Sequence, residues 1–209
     1  MSLRFIATAL TSAALLLSSG CTILPEREPA TLYRLPAADL APNALTPDTA
    51  IRTIRLGVAV PKAGHLLSSN RIVVYPERNV VNVYEGARWH ENAPDLLKAR
   101  LIAGLQQSQL FASVSSDGLP ADLLLLSELR HFQSDYVTDP PSAKVQLDVQ
   151  LVDNQNRAPL AAMSFTTSAQ ANSTDIPDVI DAFGSASDAL TAQLAAWLAQ
   201  QSEVLGSNN

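Results

Sequence analysis

A single cysteine, Cys21, stands in the 209 residues, so no intramolecular disulfide can form and the stapled-scaffold class of small exported domains is excluded. The three histidines, His65, His90 and His131, lie too far apart in sequence to form a metal-binding signature. Eight glycines never gather into a phosphate-cradling loop, which leaves nucleotide binding without support. A nucleophile elbow is missing too: Phe183-Gly184-Ser185-Ala186-Ser187 lacks the final glycine and falls within an expected helix. Basic residues are few, 14 Lys and Arg against 20 Asp and Glu, and they are scattered singly, so nucleic acid is excluded as a partner. Beyond the N-terminus no apolar run approaches the roughly 18 to 20 residues that span a bilayer. Asp135 and Asp139 flank a loop before Pro140-Pro141 and read as solvated loop carboxylates, and Asn172-Ser173-Thr174 reads as a chance glycosylation match. No cofactor motif is present.

What the chain does carry begins at its N-terminus. Arg4, an apolar stretch from Phe5 to Leu17, and the small residues Ser18-Ser19-Gly20 have the anatomy of an export signal over residues 1–20, too short to span a membrane. Cys21 follows at the position where a new amino-terminal thiol takes a diacylglyceryl group. Gly20 and Ser19 fit a lipobox, whereas Ser18 holds the usual Leu place and Leu17 sits one residue early, which leaves ordinary cleavage as the other reading. Lipidation at Cys21 accounts for the lone cysteine, and acyl chains at about 0.8 kcal/mol per buried methylene, two or more together, anchor a protein stably. Thr22 rather than Asp after the cysteine favours the periplasmic face of the outer membrane. Residues 21–30, with Pro25, Glu26, Arg27, Glu28 and Pro29, form an extended tether of at most about 30 Å. Loss of Arg4 with the signal takes the formal charge from −6 to −7.

The remaining roughly 190 residues suit one domain with a proper core, expected over residues 31–201, with residues 202–209 as a disordered tail. An early strand covers Thr31-Leu32-Tyr33-Arg34-Leu35, and the polar stretch from Ala37 to Ala50 separates it from the rest. Alternation at Ile54, Leu56, Val58 and Val60 predicts a strand stopped by Pro61. Segments 71–75 and 80–84 predict a hairpin with a four-residue turn, Pro76 to Asn79. Asn92 as N-cap, Pro94 in the first turn, and Leu97, Leu101, Ile102 and Leu105 predict a helix of about fifteen residues.

Leu123 to Tyr136 has leucines on both parities near its start, with Phe132 on the parity of Leu124 and Leu126, as in a strand covered on both faces. The clearest alternation, Ala143, Val145, Leu147, Val149 and Leu151 against polar neighbours, is a strand with one dry face. A turn at 153–156 leads to a strand at 160–169. A long helix over about 177–201 follows, with acidic Asp175, Asp178 and Asp181 at its start and Trp197 in its apolar stripe. The pattern is α+β: a largely antiparallel sheet with two amphipathic helices packed on one face.

One cluster concentrates amphipathic aromatics: Tyr84 and Trp89, with His90 beside them, lie in the connection between a strand and a helix. They read either as the lid of the core or as part of a partner interface. Taken in order, Cys21, Tyr33-Arg34-Leu35-Pro36, Val60-Pro61, the run from Tyr84 to Trp89 into Ala93-Pro94, then Leu97, Leu101 and Leu105, and Phe111 and Val114, resemble the ABC-type transport auxiliary lipoprotein family. The resemblance implies a non-enzymatic periplasmic subunit, anchored in the membrane through its lipid and without cofactor. It would dock an MCE-domain protein and the associated ABC permease and ATPase to support intermembrane lipid transport. It also implies homo-oligomeric rings, for which the strand Lys144 to Gln150, if at a sheet edge, is the candidate. The competing classes are an envelope assembly or structural adaptor lipoprotein without a transporter, and an envelope hydrolase, for which the chain nominates no converging polar pair.

Overall fold

The structure, a computed structural model, describes residues 29–38 and 51–201. The expected export signal, Cys21, most of the expected tether and the expected 202–209 tail lie outside the described residues. Twelve elements follow one another: β1 (Thr31–Tyr33), a 3-10 turn (Ile51–Thr53), β2 (Arg55–Val58), β3 (Lys62–Ala63), β4 (Arg71–Glu77), β5 (Val80–Trp89), α1 (Ala93–Gln107), β6 (Ser113–Ser116), β7 (Leu123–Asp135), β8 (Ser142–Asp153), β9 (Pro159–Gln170) and α2 (Ile176–Gln200).

The axis of the sheet is β7. On one side it pairs antiparallel with β8, which pairs antiparallel with β9. On the other side three segments lie end to end and parallel to it: β2 against Leu123 to Leu125, β3 against Glu128 and Leu129, and β4 against Gln133 to Asp135. The sheet branches from there, with β6 beside β2 at one end and β5, then β1, beside β4 at the other. The longest ladders are antiparallel and the sheet is mixed, and with two helices on one face this is the α+β arrangement expected. Strand β8, and with it Lys144 to Gln150, is flanked on both sides, so it is not a sheet edge; among the described residues that edge is β9.

Two bulges change the parity read from the sequence. Leu129 pairs with Leu147 and His131 with Gln146, leaving Arg130 as an extra residue in β7. The slip returns Phe132 to the face that carries Leu125 and Leu129, so Phe132 is buried under the helices instead of on the opposite face. In the hairpin, Glu77 pairs with Val80, and the turn is therefore the two residues Arg78 and Asn79, not four. Asn79 adopts φ 69°, which an Asn tolerates, and Pro76 sits at a register shift, where a missing N–H costs no ladder bond.

One contiguous core joins the inner face of the sheet to both helices. Helix α1 starts as expected: the Asn92 side chain accepts from the Asp95 N–H at 3.0 Å, with Pro94 in the first turn. Leu97, Leu101 and Leu105 are fully buried. Helix α2 buries small residues, Ala186, Ser187 and Thr191. Ser187 and Thr191 satisfy their hydroxyls on the carbonyls four residues earlier, and the Thr167 hydroxyl of β9 donates to the Ala186 carbonyl at 2.8 Å. Trp197 is buried edge-on to Phe165 at 5.9 Å.

Residues 31–38 run as a strap across both layers. Strand β1 pairs with the end of β5, and Pro36 then packs on Gly184 of α2, where an added Cβ would come within 2.9 Å of the Pro36 carbonyl oxygen. The strap ends at Ala38, whose N–H donates to Asp188 Oδ2 and whose carbonyl accepts from Arg100 Nη2, both at 2.9 Å. Arg100 of α1 and Asp188 of α2 also pair with each other, and the Arg100 side chain is only 3% exposed.

Candidate functional site

Strand β5 positions the three residues singled out in the sequence. Tyr84 and Trp89 are five residues apart and would face opposite sides of a regular strand. Gly86 at φ +65°, with open space where a Cβ would stand, sits in the irregular stretch that lets both turn inwards. Arg88 folds back over this irregularity, donating from Nη1 to the carbonyls of Tyr84 at 3.1 Å and Ala87 at 2.7 Å.

Trp89 has no exposed surface. Its ring stands edge-on to Phe183 at 5.2 Å and tilted on Phe132 at 5.7 Å, and those two rings lie 4.9 Å apart. This places it in the core under both helices, the core-lid position, where it has no surface to offer a partner directly. His90, the next residue, is exposed. Its backbone N–H donates to the Tyr33 carbonyl at 2.9 Å and its ring Nδ1 lies 3.2 Å from the same oxygen, joining the end of β5 to β1.

Tyr84 is half-buried, its hydroxyl 2.9 Å from the buried Ser134 hydroxyl and 3.3 Å from that of Tyr136. Burial raises the Tyr84 pKa well above its ordinary value. With a phenol as its neighbour, Ser134 has no base to accept its proton through this contact, so the cluster braces β5 against β7 and does not activate a nucleophile.

On the face away from the helices a cleft of about 510 Å³ opens where the β4–β5 turn overhangs the end of β7. Tyr75, Pro76, Tyr136 and Val137 form apolar walls, and His131, Gln133 and Lys144 line the sheet side. The His131 Nδ1 lies 3.1 Å from Gln133 Nε2, and its pKa is lowered by burial and by the nearby Lys144 charge. Further along the same face Arg130 bridges Glu128 and Asp148, each at 2.7 Å, while the Ser164 hydroxyl donates to Asp148 at 2.6 Å. These bonds, Ser164 first, hold the Asp148 carboxylate below its usual pKa. Among the described residues no three His, Cys, Asp or Glu side chains converge, and no helix is long and apolar enough to cross a membrane.

Sequence reasoning did not find the Arg100–Asp188–Ala38 clasp or the His131 cleft, because each joins residues far apart in the chain. Gly86 inside an apolar strand and Gly184 inside a helix were the available signals: in such places glycine marks an irregularity or a close approach.

The class these features define is a two-layer α+β domain, one mixed sheet under two helices, with its N-terminal segment strapped across the helical layer. The family model of the ABC-type transport auxiliary lipoprotein component matches residues 33–195, and the chain belongs to that family. A protein from Xanthomonas campestris of known crystal structure is 28% identical, the match covering 86% of this chain and 100% of that one, with a TM-score of 0.74. A second solved structure, of an uncharacterized protein, has a TM-score of 0.65 at 16% identity over 82% of this chain and 99% of that one, a likeness of fold alone. No curated protein matches the chain.

Proposed function

We propose that the chain is a non-enzymatic lipoprotein subunit of an ABC/MCE-type transport system, held at the periplasmic face of the outer membrane by an acylated Cys21. There it docks a periplasm-spanning MCE protein and supports lipid transfer between membranes. The observation that carries this reading is the family match over residues 33–195, joined to a lipobox-like Ser19-Gly20-Cys21 a few residues upstream. The short tether agrees with it. Ten residues from Cys21 to Ala30 reach at most about 30 Å, so the folded body stays near its own membrane and receives a partner that comes to it. Contact with that partner is proposed at the exposed His90 and the rim of Tyr84, with Trp89 supporting both from below.

Crosslinking of intact membranes, purification through a C-terminal tag and mass spectrometry test the reading. Recovery of an MCE-domain protein with its permease supports it; recovery of envelope assembly proteins instead moves the chain to the adaptor class. Cys21→Ser should release the protein from membranes, measured by flotation, and full retention would remove the lipid anchor from the account.

A further inference from the structure

Of the exposed large apolar side chains of the described fold, Leu32, Val60, Leu119 and Met163 stand singly on different segments, whereas four others share one end of the sheet. Val80 (45% exposed) and Val81 (47%) follow the β4–β5 turn, and Tyr136 and Val137 (87%) follow the end of β7. Strand β4 runs parallel to β7 with Tyr75 beside Asp135, so the turn and the start of the β7–β8 connection project from the same end of the sheet. Four apolar side chains this exposed at one end of the sheet mark a contact surface.

Chain direction says what lies beyond that end. Strand β5 leads away from the turn towards Trp89, and β1 is parallel to it, with Thr31 beside Ala87 and Tyr33 beside Trp89. The residues preceding Thr31 therefore enter from the side of the turn. From Ala87 back to Val80 is at most about 23 Å of strand, while the ten residue steps from Cys21 to Thr31 reach about 33 Å. An acyl group on Cys21 thus keeps this end within about 10 Å of the lipid headgroups when the tether runs straight on from β1. The opposite end, the β8–β9 turn around Gln155, stands a further 40 Å or so away, the length of β8.

We infer that Val80, Val81, Tyr136 and Val137 form a membrane-contact surface that rests in the interface of the bilayer to which Cys21 is anchored, orienting the domain with its β8–β9 turn away from the lipid. The inference rests on the lipid-anchor reading. The contact is apolar in kind: Arg78 and Lys144 stand among Glu77, Asp135 and Asp139 at this end, so no cationic face is available for anionic headgroups. Aliphatic side chains with a tyrosine beside them suit the boundary between headgroups and acyl chains.

The test uses the full lipidated chain reconstituted into phosphatidylcholine vesicles containing a spin-labelled lipid. With Cys21 blocked by acylation, a thiol-reactive fluorophore can be placed at Val137→Cys or, at the far end, Gln155→Cys. Several-fold stronger quenching at 137 than at 155, unchanged when anionic lipid is added, is the expected result. Equal, weak quenching at both sites in a protein that floats with the vesicles overturns the inference while leaving the anchor intact. A protein that fails to float removes the anchor and this inference with it. As a second variant, Val80→Asp/Val81→Asp in the 137-labelled protein should lower the quenching at 137; unchanged quenching in that variant also overturns it.

Discussion

Replacing Trp89 by alanine separates its packing from any part it plays in partner contact. The indole is fully buried between Phe132 and Phe183, with edge-on and tilted ring contacts at 5.2 and 5.7 Å. Truncating a buried tryptophan costs about 3 to 5 kcal/mol, through lost transfer energy and the cavity left behind. Each kcal/mol lowers the melting temperature of a domain this size by roughly 2 to 4 °C, so the fall should be about 6 to 20 °C. Against a total stability of roughly 5 to 15 kcal/mol, that is a large share.

Trp89→Phe should cost only about 1 to 2 kcal/mol. It keeps an aromatic ring in the cluster and removes an indole N–H that has no hydrogen-bond partner among the described residues. Thermal unfolding of the Cys21→Ser protein followed by circular dichroism gives both values. A fall below about 3 °C for Trp89→Ala, joined to lost partner crosslinking, would refute the packing argument and return the indole to the interface.

Three further outcomes follow from the same geometry. Arg100→Ala should destabilise by about 3 kcal/mol, since it leaves Asp188 without its buried partner, whereas Arg100→Met with Asp188→Leu should cost much less in a thermal melt. Gly184→Ala should force the Pro36 carbonyl away at about 1 to 3 kcal/mol and speed amide exchange selectively in residues 31–38, with α1 unaffected. His131 has its folded pKa held below 6.5, so the unfolded chain takes up the proton first, and stability present above pH 6.5 should decline as pH falls towards the folded value. His131→Gln should flatten that interval in denaturant titrations, while Asp122 and Asp148, held below their usual value largely by bonds to Arg55 and to Ser164, lose their contribution only below about pH 4.

Long periodic elements were legible in the chain because one physical demand, burial of one face, repeats along them. Asn92, Pro94 and the leucine stripe fixed α1, and the five alternating apolar residues from Ala143 to Leu151 fixed β8 on its dry face. Strand β6 was not legible: Ser113-Val114-Ser115-Ser116 has one apolar side chain and owes its strand state to parallel pairing with β2. Phe132 was placed on the wrong face because a strict period of two does not anticipate the bulge at Arg130. Trp89 admitted two readings in the sequence because an amphipathic aromatic suits a core lid and an interface alike. What distinguishes them is Phe183, which lies almost a hundred positions away and reaches the indole only through the packing of α2. The clasp was invisible for the same reason, since Arg100 and Asp188 look like surface charges until Ala38 is brought between them.

The strap and the proposed membrane contact bear on one another. Strand β1 has only three residues, a short ladder for a segment that begins ten residues after Cys21, the proposed anchor. Packing of Pro36 on Gly184 and the two backbone bonds at Ala38 extend its hold into the helical layer, so residues 31–38 are fixed to both layers of the fold. A short connection between the proposed anchor and a rigidly seated strap would restrict how the body tilts, which a long linker or a loosely held first strand would not do. With the valine-bearing turn at the lipid, the ten residues of β5 carry His90 up to about 30 Å from that end. The His90 part of the proposed partner contact then stands clear of the headgroups, open to a protein arriving from the periplasm, while Tyr84, 3.3 Å from the Tyr136 hydroxyl, lies nearer to them. Releasing the clasp should loosen this orientation, so in the quenching experiment Arg100→Ala should narrow the contrast between labels at 137 and 155 while the protein still floats. A contrast that survives strap release, with exchange in residues 31–38 accelerated, would mean that the turn alone sets the orientation.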